Sequence, residues 1–264
     1  MKRPMRCRSI FISDVHLGTS DCQAELLLDF LESTSCENLY LVGDIVDLYK
    51  LRNAIYWPRI KNEIANSILE KARSGTRVIY IPGNHDELLR DFVGSHWNGI
   101  DVKMQDIHTT AAGQRLLVLH GDVYDDAVRN MRWLEMLGGS LYELIMIVSR
   151  IYNRMRKRLG YPYWSFAAFI KTRFKEAVRY IERFEATAAR DAAERGYDGI
   201  VCGHIHSPSR RVIDGTLYLN TGDWVEHCTA LIEDERGGLV LIDWARRVRE
   251  PDPRPAAVPD RQAA

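Results

Sequence analysis

The apolar positions of this chain fall into short, nearly continuous runs. Residues 7–13, 39–42, 78–81, 115–119 and 200–202 are rich in Leu, Ile and Val, the pattern of strands buried on both faces. Residues 217–219, 229–232 and 239–242 read as further strands joined by short turns such as Arg236-Gly237-Gly238. Between the first runs the spacing becomes helical. Leu26, Leu27, Phe30 and Leu31 share one face over 24–31. A longer helix is predicted from 57 to 73, with Pro58 in its first turn and Gly75 at its stop. Alternating strands and helices, then strands alone, predict an α/β (α+β) chain built as a four-layer αββα sandwich. The core is expected over 1–121 and 197–249. Residues 122–196 carry no strand signal and are predicted to form an inserted helical cap. Residues 250–264, with Pro251, Pro253, Pro255 and Pro259 among charges and alanines, are expected to be a disordered tail.

Composition changes this picture only at its edges. The chain has 264 residues and a formal net charge of zero, so the molecule as a whole is not a polyanion binder. Five cysteines without a C-x-x-C pair argue against a disulfide framework and for a reducing compartment. The opening residues show no long apolar leader, and no stretch is apolar enough to span a bilayer. The expected location is the cytoplasm, either free or on the inner face of the membrane.

The candidate chemistry sits where the apolar runs stop. The strand ends carry Asp14 and His16, then Asp44, then Asn84 and His85, then His120, and last His204 and His206. Any one of these, alone, is most simply a turn or cap residue. As a set they are carboxylate, imidazole and amide groups at the edge where α/β folds place their sites. Oxygen and nitrogen donors without thiolate suit Mn²⁺, Fe or Zn²⁺.

The motifs D-x-H (Asp14, His16), G-D-x-x-D (Gly43, Asp44, Asp47), G-N-H-D (Gly83 to Asp86), H-G-D (His120 to Asp122) and G-H-x-H (Gly203 to His206) together resemble the calcineurin-like metallophosphoesterases. The resemblance implies a metallophosphoesterase sandwich with two divalent metal ions, Mn²⁺ first among the choices. One ion would be held by Asp14, His16, Asp44 and His206. The other would be held by Asp44, Asn84, His120 and His204, with Asp44 as the bridge. His85 would face the substrate, oriented by Asp86. Two cations about 3.5–4 Å apart activate water and clamp the oxygens on phosphorus, and an imidazole beside them can protonate the leaving oxygen.

Residues 131–151 are rich in Leu, Ile and Met, and a basic, aromatic stretch follows, including Arg154, Lys157, Tyr161 and Trp164. One reading is a helical hairpin that packs its apolar face on the core. The other is a cap that offers apolar surface to acyl chains and basic surface to phosphate or anionic lipid. Aliphatic residues outnumber aromatics from 134 to 151, which suits lipid better than stacked bases, so no nucleic-acid partner is expected. This insertion, with Thr221-Gly222-Asp223-Trp224 near the end, resembles the UDP-2,3-diacylglucosamine pyrophosphohydrolases of lipid A synthesis. That branch implies hydrolysis of UDP-2,3-diacylglucosamine to 2,3-diacylglucosamine 1-phosphate (lipid X) and UMP, with Mn²⁺. Its best-known members carry Arg where this chain has His85, and His is the pattern of the wider superfamily. Arg129, Arg132 and His227 are the candidate substrate-binding residues. The alternatives are a phosphodiesterase or phosphatase acting on nucleotides or phosphoproteins, and a scaffold on the same fold that has lost its metals. The full ligand set argues against the scaffold.

Overall fold

Along β1 (Met5–Ile12) successive side chains enter different cores. Ile10 and Ile12 join one buried cluster and Phe11 the other, as the two-residue period of a strand requires. The same split recurs in β2 (Thr34–Val42), where Leu39 and Leu41 face one way and Tyr40 and Val42 the other. It recurs again in β3 (Arg77–Ile81) between Val78 and the pair Ile79 and Ile81. Both faces are covered, which is why these strands read as unbroken apolar runs.

The computed structural model of the chain describes residues 4–53, 56–127 and 166–250. β1, β2 and β3 are parallel neighbours in a seven-stranded sheet. The short strands β4 (His96–Trp97) and β5 (Ile100–Val102) extend it beyond β3. A second sheet has five strands: β6 (Asp106–Thr109), β7 (Arg115–Val118), β8 (Gly199–Cys202), β9 (Ser209–Ile213) and β10 (Thr216–Asn220). Its β7, β8 and β10 run parallel. The antiparallel pair β11 (Thr229–Glu233) and β12 (Leu239–Asp243) closes the first sheet on the far side of β1.

Phe11, Tyr40, Ile79 and Ile81 meet Leu116, Val118, Val201 and Leu219 between the two sheets. On the outer face of the first sheet, helices α1 (Ala24–Glu32) and α3 (Arg59–Arg73) bury Leu27, Phe30, Leu31, Ile64 and Ile68. A short α2 (Leu48–Asn53) precedes α3. Trp244, the first residue of α5 (Trp244–Arg249), closes the same cluster and donates Nε1 to Asp29 at 2.8 Å. Leu117, Ile200 and Tyr218 point from the second sheet to its other face and are also fully buried. The last turns of α4 (Phe166–Glu194) supply that layer: Ala188, Ala189 and Ala192 are buried and Glu185 bonds Arg211 of β9 at 2.7 Å. The four layers are those expected.

Two compact units divide the chain. The larger, Met1–Tyr124 with Glu185–Ala264, holds both sheets. The smaller is Asp125–Phe184, in which the Tyr180 hydroxyl donates to Asp125 at 2.9 Å. Residues 128–165, and with them most of the predicted cap, lie outside the described residues, as does the tail beyond 250.

One polar group is buried between the sheets far from any strand end that carries metal-type residues. Glu233 is fully buried. Its Oε1 accepts from Arg8 at 2.8 Å and from the Ala111 amide at 2.7 Å, and its Oε2 accepts from Ser9 at 2.8 Å and lies 2.7 Å from His108 Nε2. Burial alone would raise its pKa, but these bonds outweigh it and pull the carboxyl from 4.5 down to about 2. A depressed pKa contributes stability that is present above about pH 4.5 and lost as the pH falls toward 2. Urea titrations between those values are expected to show a loss in the wild type that exceeds the loss in Glu233→Gln by roughly 3 kcal/mol.

Candidate metal centre

β1, β2 and β3 of one sheet and β7 and β8 of the other end at a common edge, and the loops that leave them carry the ligand-type residues. Five of those residues have left-handed backbones: Asp14 (φ 51°), His16 (52°), Asp44 (53°), His204 (69°) and His206 (51°). Each such non-glycine residue costs of order 1–3 kcal/mol and persists where the surroundings enforce it, chiefly at functional sites. The motif glycines allow the loops to close in. A Cβ on Gly43 would run into the His120 ring, and one on Gly83 into the Asp44 carboxylate. A Cβ on Gly203 would strike Asp14 and Ser13.

Among the described residues three donor groups result, one of them His16, Asp47 and His85. Asp14, His16 and His206 offer atoms that all lie within 4.8 Å of one another, and so do Asp44, His120 and His204. His206 Nε2 is 3.3 Å from Asp14 Oδ1 and 3.3 Å from His16 Nε2. His120 Nε2 is 3.4 Å from Asp44 Oδ2 and 3.3 Å from Asn84 Oδ1. The structure thus brings all seven predicted ligand residues to one edge.

These residues fit divalent cations. Among the described residues Asp14 Oδ1 is buried with no well-aligned hydrogen bond, only His206 Nε2 at 3.3 Å, a costly state for a carboxylate oxygen unless a cation faces it. The other oxygen, Oδ2, is fixed by the His204 amide at 2.9 Å and by Ser13 Oγ. His120 Nδ1 donates to the Val42 carbonyl at 3.0 Å, which leaves Nε2 as the ligating nitrogen. Asp44 Oδ1 accepts the His85 amide at 2.7 Å. Burial would raise both carboxyls, but His206 beside Asp14 and His120 beside Asp44 hold them well below the usual range. Burial would lower His120, and Asp44 and Asp14 override it and push it up to about 10. An entering cation must displace that proton, so loading weakens in acid.

One expectation is corrected. Asp86 does not orient His85. Its Oδ1 accepts the Gly83 amide at 2.5 Å, and its Oδ2 accepts Ile45 N at 2.9 Å, Val46 N at 3.4 Å and Tyr80 Oη at 2.5 Å. A carboxylate saturated in this way ties the Asn84 loop to the loop after β2. The carboxylate on His85 Nδ1 is Asp47, at 3.1 Å. Asp47 Oδ2 also lies 3.5 Å from His16 Nδ1, and the hydrogen bond that His85 Nδ1–H donates to Asp47 raises the His85 pKa against the effect of burial. The second Asp of G-D-x-x-D was the available signal for this role. His227 is placed on Asp223, Nδ1 to Oδ2 at 2.5 Å. Arg129 and Arg132 lie outside the described residues.

A UDP-2,3-diacylglucosamine hydrolase of Neisseria meningitidis serogroup B is 23% identical over 257 residues, covering 88% of this chain and 96% of the relative. One from Photorhabdus laumondii is 25% identical over 241 residues, covering 82% and 90%. Among solved structures, Yfce, a phosphoesterase from E. coli, aligns over 90% of this chain and 93% of its own at a TM-score of 0.47 and 16% identity. Residues 7–208 match the calcineurin-like phosphoesterase family model. That span contains every strand end that contributes a ligand-type residue, from Asp14 to His206, and the chain belongs to the calcineurin-like phosphoesterase family.

Proposed function

We propose that the protein is a two-metal hydrolase that cleaves the diphosphate of UDP-2,3-diacylglucosamine, giving 2,3-diacylglucosamine 1-phosphate and UMP. The observation that carries the phosphoryl chemistry is that the groups Asp14, His16, His206 and Asp44, His120, His204 gather at one sheet edge. One cation would be held by Asp14, His16, Asp44 and His206, the other by Asp44, Asn84, His120 and His204, with Asp44 shared. Bound there, two divalent ions lower the pKa of water and neutralise charge on the phosphoryl oxygens. Mn²⁺ is the first choice; Fe and Zn²⁺ accept the same donors.

The chain's own residues do the rest. Asp47 holds His85 Nδ1–H, so Nε2 is the nitrogen that gives a proton to the leaving oxygen. Asp86 holds the loop that carries both Asn84 and His85. The choice of a lipid nucleotide rests on the name shared by the curated relatives, which align over most of the chain. Arg129 and Arg132 are the proposed phosphate contacts of the cap. Among the described residues no helix is long and apolar enough to cross a membrane, and an acylated substrate would be met at an anionic membrane surface on the cytoplasmic side.

A matched pair of assays in Mn²⁺ tests the reading: UMP release from UDP-2,3-diacylglucosamine against turnover of an aryl phosphodiester. UMP release is expected to dominate. Turnover of the aryl diester alone discards the lipid nucleotide and leaves a phosphodiesterase.

A further inference from the structure

The carboxylate–imidazole pair at His85 has a counterpart. Asp47 Oδ2 lies 3.1 Å from His85 Nδ1 and 3.5 Å from His16 Nδ1. Asp223 Oδ2 repeats the arrangement, 2.5 Å from His227 Nδ1 and 3.9 Å from His206 Nδ1. The inner imidazoles, His16 and His206, meet with their Nε2 atoms 3.3 Å apart. Each half is therefore one buried carboxylate, one inner imidazole that turns Nε2 to the centre, and one outer imidazole. The outer side chains are 36% exposed for His85 and 43% for His227, whereas Asp47 and Asp223 are buried.

Asp223 is itself held rigidly. Its Oδ1 accepts the amides of Val225 at 2.8 Å, Glu226 at 2.5 Å and His227 at 3.1 Å. Those amides alone would satisfy a capping carboxylate. Oδ2 is left over, and it is spent on two imidazoles rather than on the turn. A histidine that served only as surface polarity would not need its Nδ1 fixed by a fully buried carboxylate.

We propose that His227 is the subsite for the second phosphoryl group of a diphosphate substrate, with Nε2–H directed to an oxygen of the phosphate that is not attacked. With Nδ1–H committed to Asp223, a donor at Nε2 requires the imidazolium. The hydrogen bond that Nδ1–H donates to Asp223 favours that form and raises the His227 pKa, against the effect of burial. The two outer imidazoles then divide the substrate: His85 serves the leaving oxygen and His227 holds the spectator phosphate. This rests on the diphosphate reading above and sharpens it, because a single-phosphate ester has nothing to place on His227.

The test uses the Mn²⁺-loaded full chain, with UDP and UMP as competing inhibitors of aryl phosphodiester turnover at constant free Mn²⁺. The readout is the ratio of the two inhibition constants, which each variant's own rate does not enter. UDP is expected to bind the wild type about tenfold or more tightly than UMP, as a charge-assisted bond implies. His227→Ala brings the ratio to near one, and His227→Lys restores most of it. Equal inhibition in the wild type, or a ratio that survives His227→Ala, overturns the proposal. So does loss of metal from His227→Ala by elemental analysis, which would make His227 a support for His206 only. The acylated substrate is absent from these assays, so a wild type that releases no UMP from it sinks the lipid reading without deciding this one.

Discussion

Asp44→Ala is expected to empty at least one of the two metal positions and to lower turnover by at least about a hundredfold, the upper range for groups that only support a metal ligand. The reason is that Asp44 serves two partners at once and stays charged. Its Oδ2 faces His120 Nε2 at 3.4 Å, its Oδ1 takes the His85 amide at 2.7 Å, and its carboxyl stays ionised despite burial. As the shared ligand it would also reduce the repulsion between two cations a few ångströms apart. Without it His120 loses the main charge that raises its pKa, so the remaining imidazole is easier to deprotonate but has no carboxylate to share a metal with. Asp44→Asn separates charge from shape: it keeps the oxygen that accepts from His85 and removes the negative charge. Elemental analysis of the purified variants, alongside rates, checks the prediction. Full metal content with a normal rate in Asp44→Ala would show that Asp44 bridges nothing.

The fold was legible where burial on both faces wrote itself into the sequence. Residues 10–12, 39–42 and 78–81 are apolar without interruption because each side chain enters one of two cores. The edge of the sheets was not legible. β9 has Arg210 and Arg211 in its middle and only Ser209 fully buried, so no period of two shows. β4 is two residues long and exposed. β2 begins at Thr34, in a polar stretch that pairs with Met5 to Ser9 by register rather than by hydrophobicity. At the site, the ligand types could be seen because each follows an apolar strand. Which carboxylate serves which imidazole could not. Asp86 adjoins His85 in sequence, yet backbone amides and Tyr80 saturate it, while Asp47 reaches His85 from another loop. Sequence adjacency is a poor guide there because neighbouring side chains leave an extended loop in different directions.

His85→Ala is expected to keep both metals and to lose roughly 10²–10⁴ in rate on a substrate with a poor leaving group. His85 Nδ1 is engaged by Asp47 and its backbone amide by Asp44. The amide bond survives truncation to Ala, so the metal ligands keep their support. What disappears is the proton source for the leaving oxygen. A nitrophenolate or a phosphate monoester (second pKa about 6) leaves without protonation, whereas an alkoxide does not, so the loss should be largest on alkyl diesters and shrink as the leaving group improves. Asp47→Asn should follow the same trend with smaller losses, because the imidazole remains while its hydrogen-bond partner no longer favours the protonated form. A uniform loss across leaving groups in both variants would mean that His85 orients the substrate and transfers no proton. Loss of metal from Asp47→Asn but not from His85→Ala would mean that the more important partner of Asp47 is His16, at 3.5 Å, through which it would steady a ligand rather than an acid.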